Sequence, residues 1–233
     1  MGTGHERRLL TRARELADLS DLQDDTLACL GAARHAGLDP EALTGLTGCA
    51  IALGAASTAT YTAGNGWTGA HPGERAFLTH VAGIEDVLDE HLHAAVMLGR
   101  QAAAALDAAR EDLADARDQL ATARHRLADA RAQPTGSPCD GCHHERTAAI
   151  TAAEAAVREA GENVREGEAR TQMCEEAIRT ARELAARLHY ARARIESVPG
   201  DLGETYESVY KLIRAGGVLP HQGRWVTGTG PAG

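Results

Sequence analysis

Aromatic side chains are scarce: one Phe, two Trp and four Tyr in 233 residues, although 43% of the chain is apolar. A core with so few rings must be made of aliphatic and small side chains. Lysine is scarcer still, Lys211 standing alone among 24 basic residues. It follows Tyr210 rather than a glycine, which excludes the G-x-x-x-x-G-K-[ST] phosphate loop. Neither a G-x-S-x-G elbow nor H-E-x-x-H occurs. A cationic surplus is missing too, since 33 acidic residues leave a net charge of −9. A sequence-independent grip on nucleic acid or an anionic membrane needs a net cationic face. Proline is held to 7 residues against 25 glycines, so disorder is not the default.

Targeting signals are absent as well. Residues 1–18 lack the apolar run of a secretory signal, and Glu6 stands where a myristoylation motif needs Ser or Thr. The most apolar stretch, 46–56, is too short for a bilayer and is diluted by Gly and Thr. The expectation is a soluble cytoplasmic protein with five reduced cysteines.

What is there is helix. Leu9, Leu10, Ala13, Leu16 and Ala17 mark a first stripe. Ser20 or Asp21 can cap a second helix carrying Leu27, Leu30 and Ala33, with Gly37 as its stop. Asp39-Pro40 opens a third, an N-cap acid followed by Pro at the first helical position. Residues 57–73 show no helical period and read as a loop holding Tyr61 and Trp67. From Glu74 the pattern is helical to about Gln133; after a break at Pro134 to Cys142 it resumes from His144 to Ser197. Both segments far exceed the mean helix of about 11–12 residues, which points to a coiled coil.

The period agrees. Leu106, Leu113, Leu120 and Leu127 recur every seven residues, with Ala109, Ala116, Ala123 and Ala130 three places after each. On the returning segment Ile150, Val157, Val164, Thr171 and Ile178 alternate with Ala153, Ala160, Gly167, Cys174 and Ala181. These are a and d positions of a heptad repeat, and their small size implies close helices. Folding the chain at Asp140 sets position i opposite 280 − i. Leu127 then faces Ala153, Ala130 faces Ile150, Leu120 faces Ala160, Leu113 faces Gly167 and Leu106 faces Cys174, large against small. Arg110, Arg117, Arg124 and Arg131 flank one helix, and Glu154, Glu168 and Glu175 the matching side of the other. Complementary flanks select an antiparallel hairpin.

All seven aromatic residues fall at 61–77 or 190–225, which locates the globular end. The expected fold is all-α. A helical base formed by 1–73 and 198–233 carries a hairpin over 74–197, its arm spanning about 95–185 and its tip 134–144. The base would include a last helix, Asp201 to Ala215, with Tyr206, Val209, Tyr210 and Ile213 on its inner face.

The tip reads Pro138-Cys139-Asp140-Gly141-Cys142-His143-His144. C-x-x-C spacing brings two sulfurs to one side of a turn, where they can hold one zinc, and Gly141 relieves the turn. Two thiolates do not close a tetrahedral site. His143 or His144 and another group, or a second copy of the tip, must complete it. An antiparallel coiled coil capped by C-x-x-C resembles the zinc hook of the Rad50-type DNA-repair ATPases, in which two tips share one zinc through four thiolates. The resemblance covers about residues 95–185, with Cys139 and Cys142 at the ligand positions. The ATPase halves have no counterpart, so it implies tip-to-tip homodimerisation and not DNA repair. The same residues also spell C-x-x-C-H, the c-type haem pattern, which requires export and a pocket for the macrocycle. A redox disulfide and a plain turn are the remaining readings.

Glu85, Asp86, Asp89, Glu90, His91 and His93 form a second polar group. Glu90 and His93 make E-x-x-H, which di-iron four-helix proteins need twice with two further Glu. No second copy occurs. His189 falls opposite His91 in the 280 − i register, yet the group reads first as a solvated helix face. Trp67 and Trp225 are candidate interface anchors, or plugs for an aromatic-poor core. Cys29, Cys49 and Cys174 read as small core residues. With no nucleophile paired to a base, the functional expectation is a non-enzymatic interaction or scaffolding protein. It would join itself through a zinc-binding tip and bind an unknown protein partner at its base. A metal-dependent helical-bundle enzyme and a nucleic-acid-associated regulator are the alternatives. Between 98 and 197 there are 15 Arg against 17 acidic residues, and the 95–185 arm has no aromatic to stack a base, so nucleic acid is the weaker partner.

Overall fold

The computed structural model describes residues 19–39, 43–52, 72–132, 140–202 and 204–215. Among the described residues there are helices and short turns and no strand. The elements are α1 (Leu19–His35), α2 (43–52), α3 (Pro72–Ala132), α4 (Asp140–Leu202) and α5 (Glu204–Arg214). The fold is all-α: a helical base from which a long hairpin of α3 and α4 protrudes.

Local chemistry sets the helix ends. α1 stops in a Schellman turn. Gly37 takes a φ of 67°, and the Gly37 and Leu38 amides donate to the carbonyls of Arg34 (3.1 Å) and Ala33 (3.2 Å). Leu38 and Ala33 are both buried, supplying the apolar contact that accompanies the motif. α1 begins at Leu19, ahead of both expected caps. Its inner stripe is Leu22, Thr26, Cys29, Leu30 and Ala33, while Leu27, expected to face inward, is 54% exposed. The i, i+4 step from Leu22 to Thr26 displaces the stripe by one position. The first expected helix (Leu9 to Ala17), Pro40 and most of the 57–73 loop lie outside the described residues.

α3 starts at Pro72 rather than Glu74. Proline suits a first helical position because its missing N–H would have no intrahelical partner there. It ends at Ala132, two residues before Pro134, which has no amide hydrogen to extend the ladder. α4 starts at Asp140, four residues earlier than His144, so Gly141 and Cys142 belong to the first helical turn rather than to the break. Asp140 brings negative charge to that N-terminus. At its other end α4 runs through Pro199 to Leu202, past the expected stop at Ser197. Burial of Ile195, Val198 and Pro199 against the base offsets the lost backbone hydrogen bond. Asp201 and Leu202 therefore close α4, and α5 begins at Glu204.

The hairpin keeps the expected register. A Cβ placed on Gly167 would lie 3.1 Å from Leu113 Cδ1 and 3.4 Å from Leu113 Cα, and one on Gly99 would lie 3.6 Å from the Ala181 Cβ. Both pairs sum to 280. The flanks pair as the charges predict: Arg110–Glu175 at 3.1 Å, Arg117–Glu168 at 3.0 Å and Arg131–Glu154 at 2.8 Å. The same spacing sets Gly161 opposite Arg124, and no ion pair forms at that rung among the described residues. Arg170 crosses to Asp112 at 3.0 Å on the other flank.

One continuous core joins α1, α2, the roots of α3 and α4, and α5; it reaches Leu106 on α3 and Cys174 on α4. Farther out, Ala109, Leu113, Ala116, Ala123 and Ala160 are buried, while Leu120, Leu127, Ile150 and Val157 are only half-buried. From Leu106 to Ala132 the hairpin continues for about 40 Å at 1.5 Å per residue.

Candidate functional site: the arm tip and the polar junctions of the base

Cys139 lies outside the described residues, as do Trp67 and Trp225. Cys142 and His143 are placed by their backbone alone, in the first turn of α4. His144 is exposed. The hairpin is closed right up to this turn. Arg146 Nη2 donates to the carbonyl of Arg131 at 2.8 Å, while Arg131 Nη2 donates to Glu154 Oε1. A guanidinium on one of the last carbonyls of α3 satisfies an orphan acceptor and complements the helix dipole. This cap is not legible in the sequence, since nothing in the spacing links Arg146 to Arg131. Cys142 thus lies at the start of α4, at the end of the hairpin remote from the base.

In the second polar group Asp86, Glu90 and His93 are exposed, as a solvated face requires, but Glu85 and His91 are buried. Glu85 is buried beneath α5 and accepts a hydrogen bond from the Tyr210 hydroxyl. Arg214 Nε lies 3.7 Å from its Oε2 and Arg192 Nη2 3.9 Å from its Oε1. Arg192 also pairs with Asp89 at 2.5 Å, and Arg214 with Asp86. Burial first, and then the hydrogen bond to the Glu85 carboxylate, push the Tyr210 phenol well above its ordinary value. Both Glu85 oxygens are engaged, so Glu85 fastens α5 and α4 to α3, while Asp86 stays largely exposed. Tyr210 was legible as an inward residue of α5; its partner Glu85 was not, because the pairing joins positions 125 apart.

His91 is also fully buried, contrary to the solvated reading. It belongs to the apolar stripe Ile84, Leu88, Ala95 and Leu98, a spacing that could have revealed it. Its Nε2 lies 2.7 Å from Thr26 Oγ1 of α1. Glu90, His93 and His189 are exposed while His91 is buried, so His91 joins neither the E-x-x-H pair nor the histidine opposite it in the register. Among the described residues no three His, Cys, Asp or Glu side chains come together as a metal-binding group.

The remaining cysteines divide by depth. Cys29 and Cys174 are free and buried, and burial raises both thiols above their ordinary value. Cys49 is half-buried and raised by burial and then by the nearby Glu90 charge. Such thiols are poor nucleophiles and poor metal ligands. No helix among the described residues is long and apolar enough to cross a membrane.

Comparison with protein-family models, with curated proteins and with solved structures gives no match. Function is therefore argued from the residues and their placement.

Proposed function

We propose that this chain is a non-enzymatic interaction or scaffolding protein of the cytoplasm. In this reading the hairpin is a coiled-coil arm that joins two copies through zinc at Cys139 and Cys142, in the manner of the zinc hook. The base holds a partner protein, with Trp67 and Trp225 as candidate anchors. The observation that carries the reading is the two-helix stretch past the core. It carries the end of α3 about 40 Å beyond Leu106, and the C-x-x-C follows that end shortly after in the sequence. A rigid spacer with ligands at its end positions partners.

Two thiolates per tip leave a tetrahedral zinc half-coordinated, so two tips completing a Cys₄ site is the economical closure. His143 or His144 would compete by closing the site within one chain. Arg110, Arg117, Arg131 and Arg170 pair with carboxylates of the arm itself, which disfavours nucleic acid. The test is light-scattering mass with metal analysis, before and after chelation. A dimer with about half a zinc per chain that dissociates on chelation supports the reading. A monomer with about one zinc would assign the remaining ligands to the histidines. About two metal ions per chain would favour a metal-dependent enzyme. A dimer indifferent to chelation would move the interface to the base.

A further inference from the structure

We propose that His91 is a proton-sensitive latch, holding α1 on the root of the hairpin when neutral and releasing it in mild acid. The geometry fixes how the proton is used. Thr26 Oγ1 donates to the Leu22 carbonyl at 2.6 Å, which commits its one hydroxyl hydrogen. What it offers His91 at 2.7 Å is a lone pair, so Nε2 carries the imidazole hydrogen and Nδ1 is bare. That Nδ1 is buried with no hydrogen-bond partner. Adding a proton there creates both a charge and an unmet donor inside the α1–α3 contact, and a buried unpaired charge is costly.

The groups around the latch do not relieve that charge. On α1, Asp25 is paired with Arg187 of α4, and Cys29 is buried with its thiol raised. On α4, Arg187 is thus engaged and His189 is exposed. On α3 itself Glu90 and His93 are exposed, with Cys49 of α2 beside Glu90. Burial holds the His91 imidazole down to about 4, against about 6.5 for a free histidine. The docked state binds the proton more weakly than the released state. Docking is therefore at full strength above about 6.5 and weakens as pH falls from there toward 4. At pH 5 the difference corresponds to roughly 30-fold weaker docking than at pH 7.5. Release would uncover the stripe Leu22, Cys29, Leu30 and Ala33.

Amide hydrogen exchange on the full chain at pH 7.5 and 5.0, corrected for intrinsic exchange rates, tests the latch. Wild-type α1 should lose protection by roughly 30-fold, while amides near Leu113 and Gly167 stay unchanged. His91→Gln, which keeps a neutral partner for Thr26, should show a much smaller loss. Acid weakening of Asp25–Arg187 alone would give equal losses in both proteins and overturn the proposal. Imidazole ¹⁵N shifts of the wild type decide the matter if the variant does not fold. A neutral Nε2–H tautomer persisting to pH 5 in the docked state supports the latch. Titration near pH 6.5 with α1 still protected overturns it.

Discussion

Base and arm bury side chains by different means. In the base, Leu78, Leu88, Leu98, Leu184 and Leu188 are fully enclosed by helices on several sides, and the core takes in a neutral histidine and a clamped carboxylate. In the arm each apolar residue has one partner helix. Its leucines are half-buried past Leu113, and small residues let the two backbones approach. Depth stabilises the base. Close approach and paired flanks hold the arm in register.

The buried stripe of α3 records the transition. It steps Leu88, His91, Ala95, Leu98, Ala102, Leu106, Ala109, Leu113, alternating three and four residues except that two fours meet at Ala102. Such an insertion locally relaxes a heptad supercoil. It falls just where the multi-helix core gives way to the two-helix arm.

The sharpest way to break the contrast is to shorten one leucine in each region. Leu188→Ala should cost about 2–5 kcal/mol, because its surroundings cannot collapse into the space. Leu127→Ala, where water already reaches the side chain, should cost under about 1 kcal/mol. Equal losses in denaturant melts would abolish the distinction. Next in size is Gly167→Leu. The Leu113 backbone lies 3.4 Å from where a Cβ would stand, so overpacking should cost about 1–3 kcal/mol and splay or shift the hairpin. An unchanged melting temperature and helicity would remove the close-packed register.

Tyr210→Phe removes the hydroxyl that donates to buried Glu85. It should cost about 1–3 kcal/mol by leaving that acceptor short of a donor. The loss should be confined to the base, with increased exchange in α5 as its signature. Smallest is the double change Arg117→Ala, Glu168→Ala. The pair is exposed on both sides, so a double-mutant cycle should return a coupling below about 1 kcal/mol that fades with salt. A larger, salt-insensitive coupling would make the ladder a source of stability and not only of register.

The hairpin was legible because its information is local and periodic. Seven-residue spacing and large-against-small pairing give the 280 − i register, which Leu113–Gly167 and Gly99–Ala181 obey. The base was less legible because its contacts are long-range and polar. His91 and Glu85 carry side chains that belong outside by default, and only Thr26 and Tyr210, distant in sequence, make their burial tolerable. Helix ends slipped where a residue has two uses. Gly141 suits a turn yet lies in the first turn of α4, and Pro199 should end a helix yet is carried through by burial. At the tip, the C-x-x-C spacing was readable as a candidate zinc site. Whether a second chain completes the site depends on a partner that one sequence does not contain.

That closure is tested most directly by Cys139→Ser, Cys142→Ser, with zinc content, light-scattering mass and far-UV circular dichroism measured together. The core described for the base and the hairpin is built from other side chains. The variant should therefore keep wild-type helicity while losing both zinc and the dimer. A variant that unfolds would make the metal structural for the whole chain. One that stays dimeric would place self-association at the base and contradict a joining role for the tip.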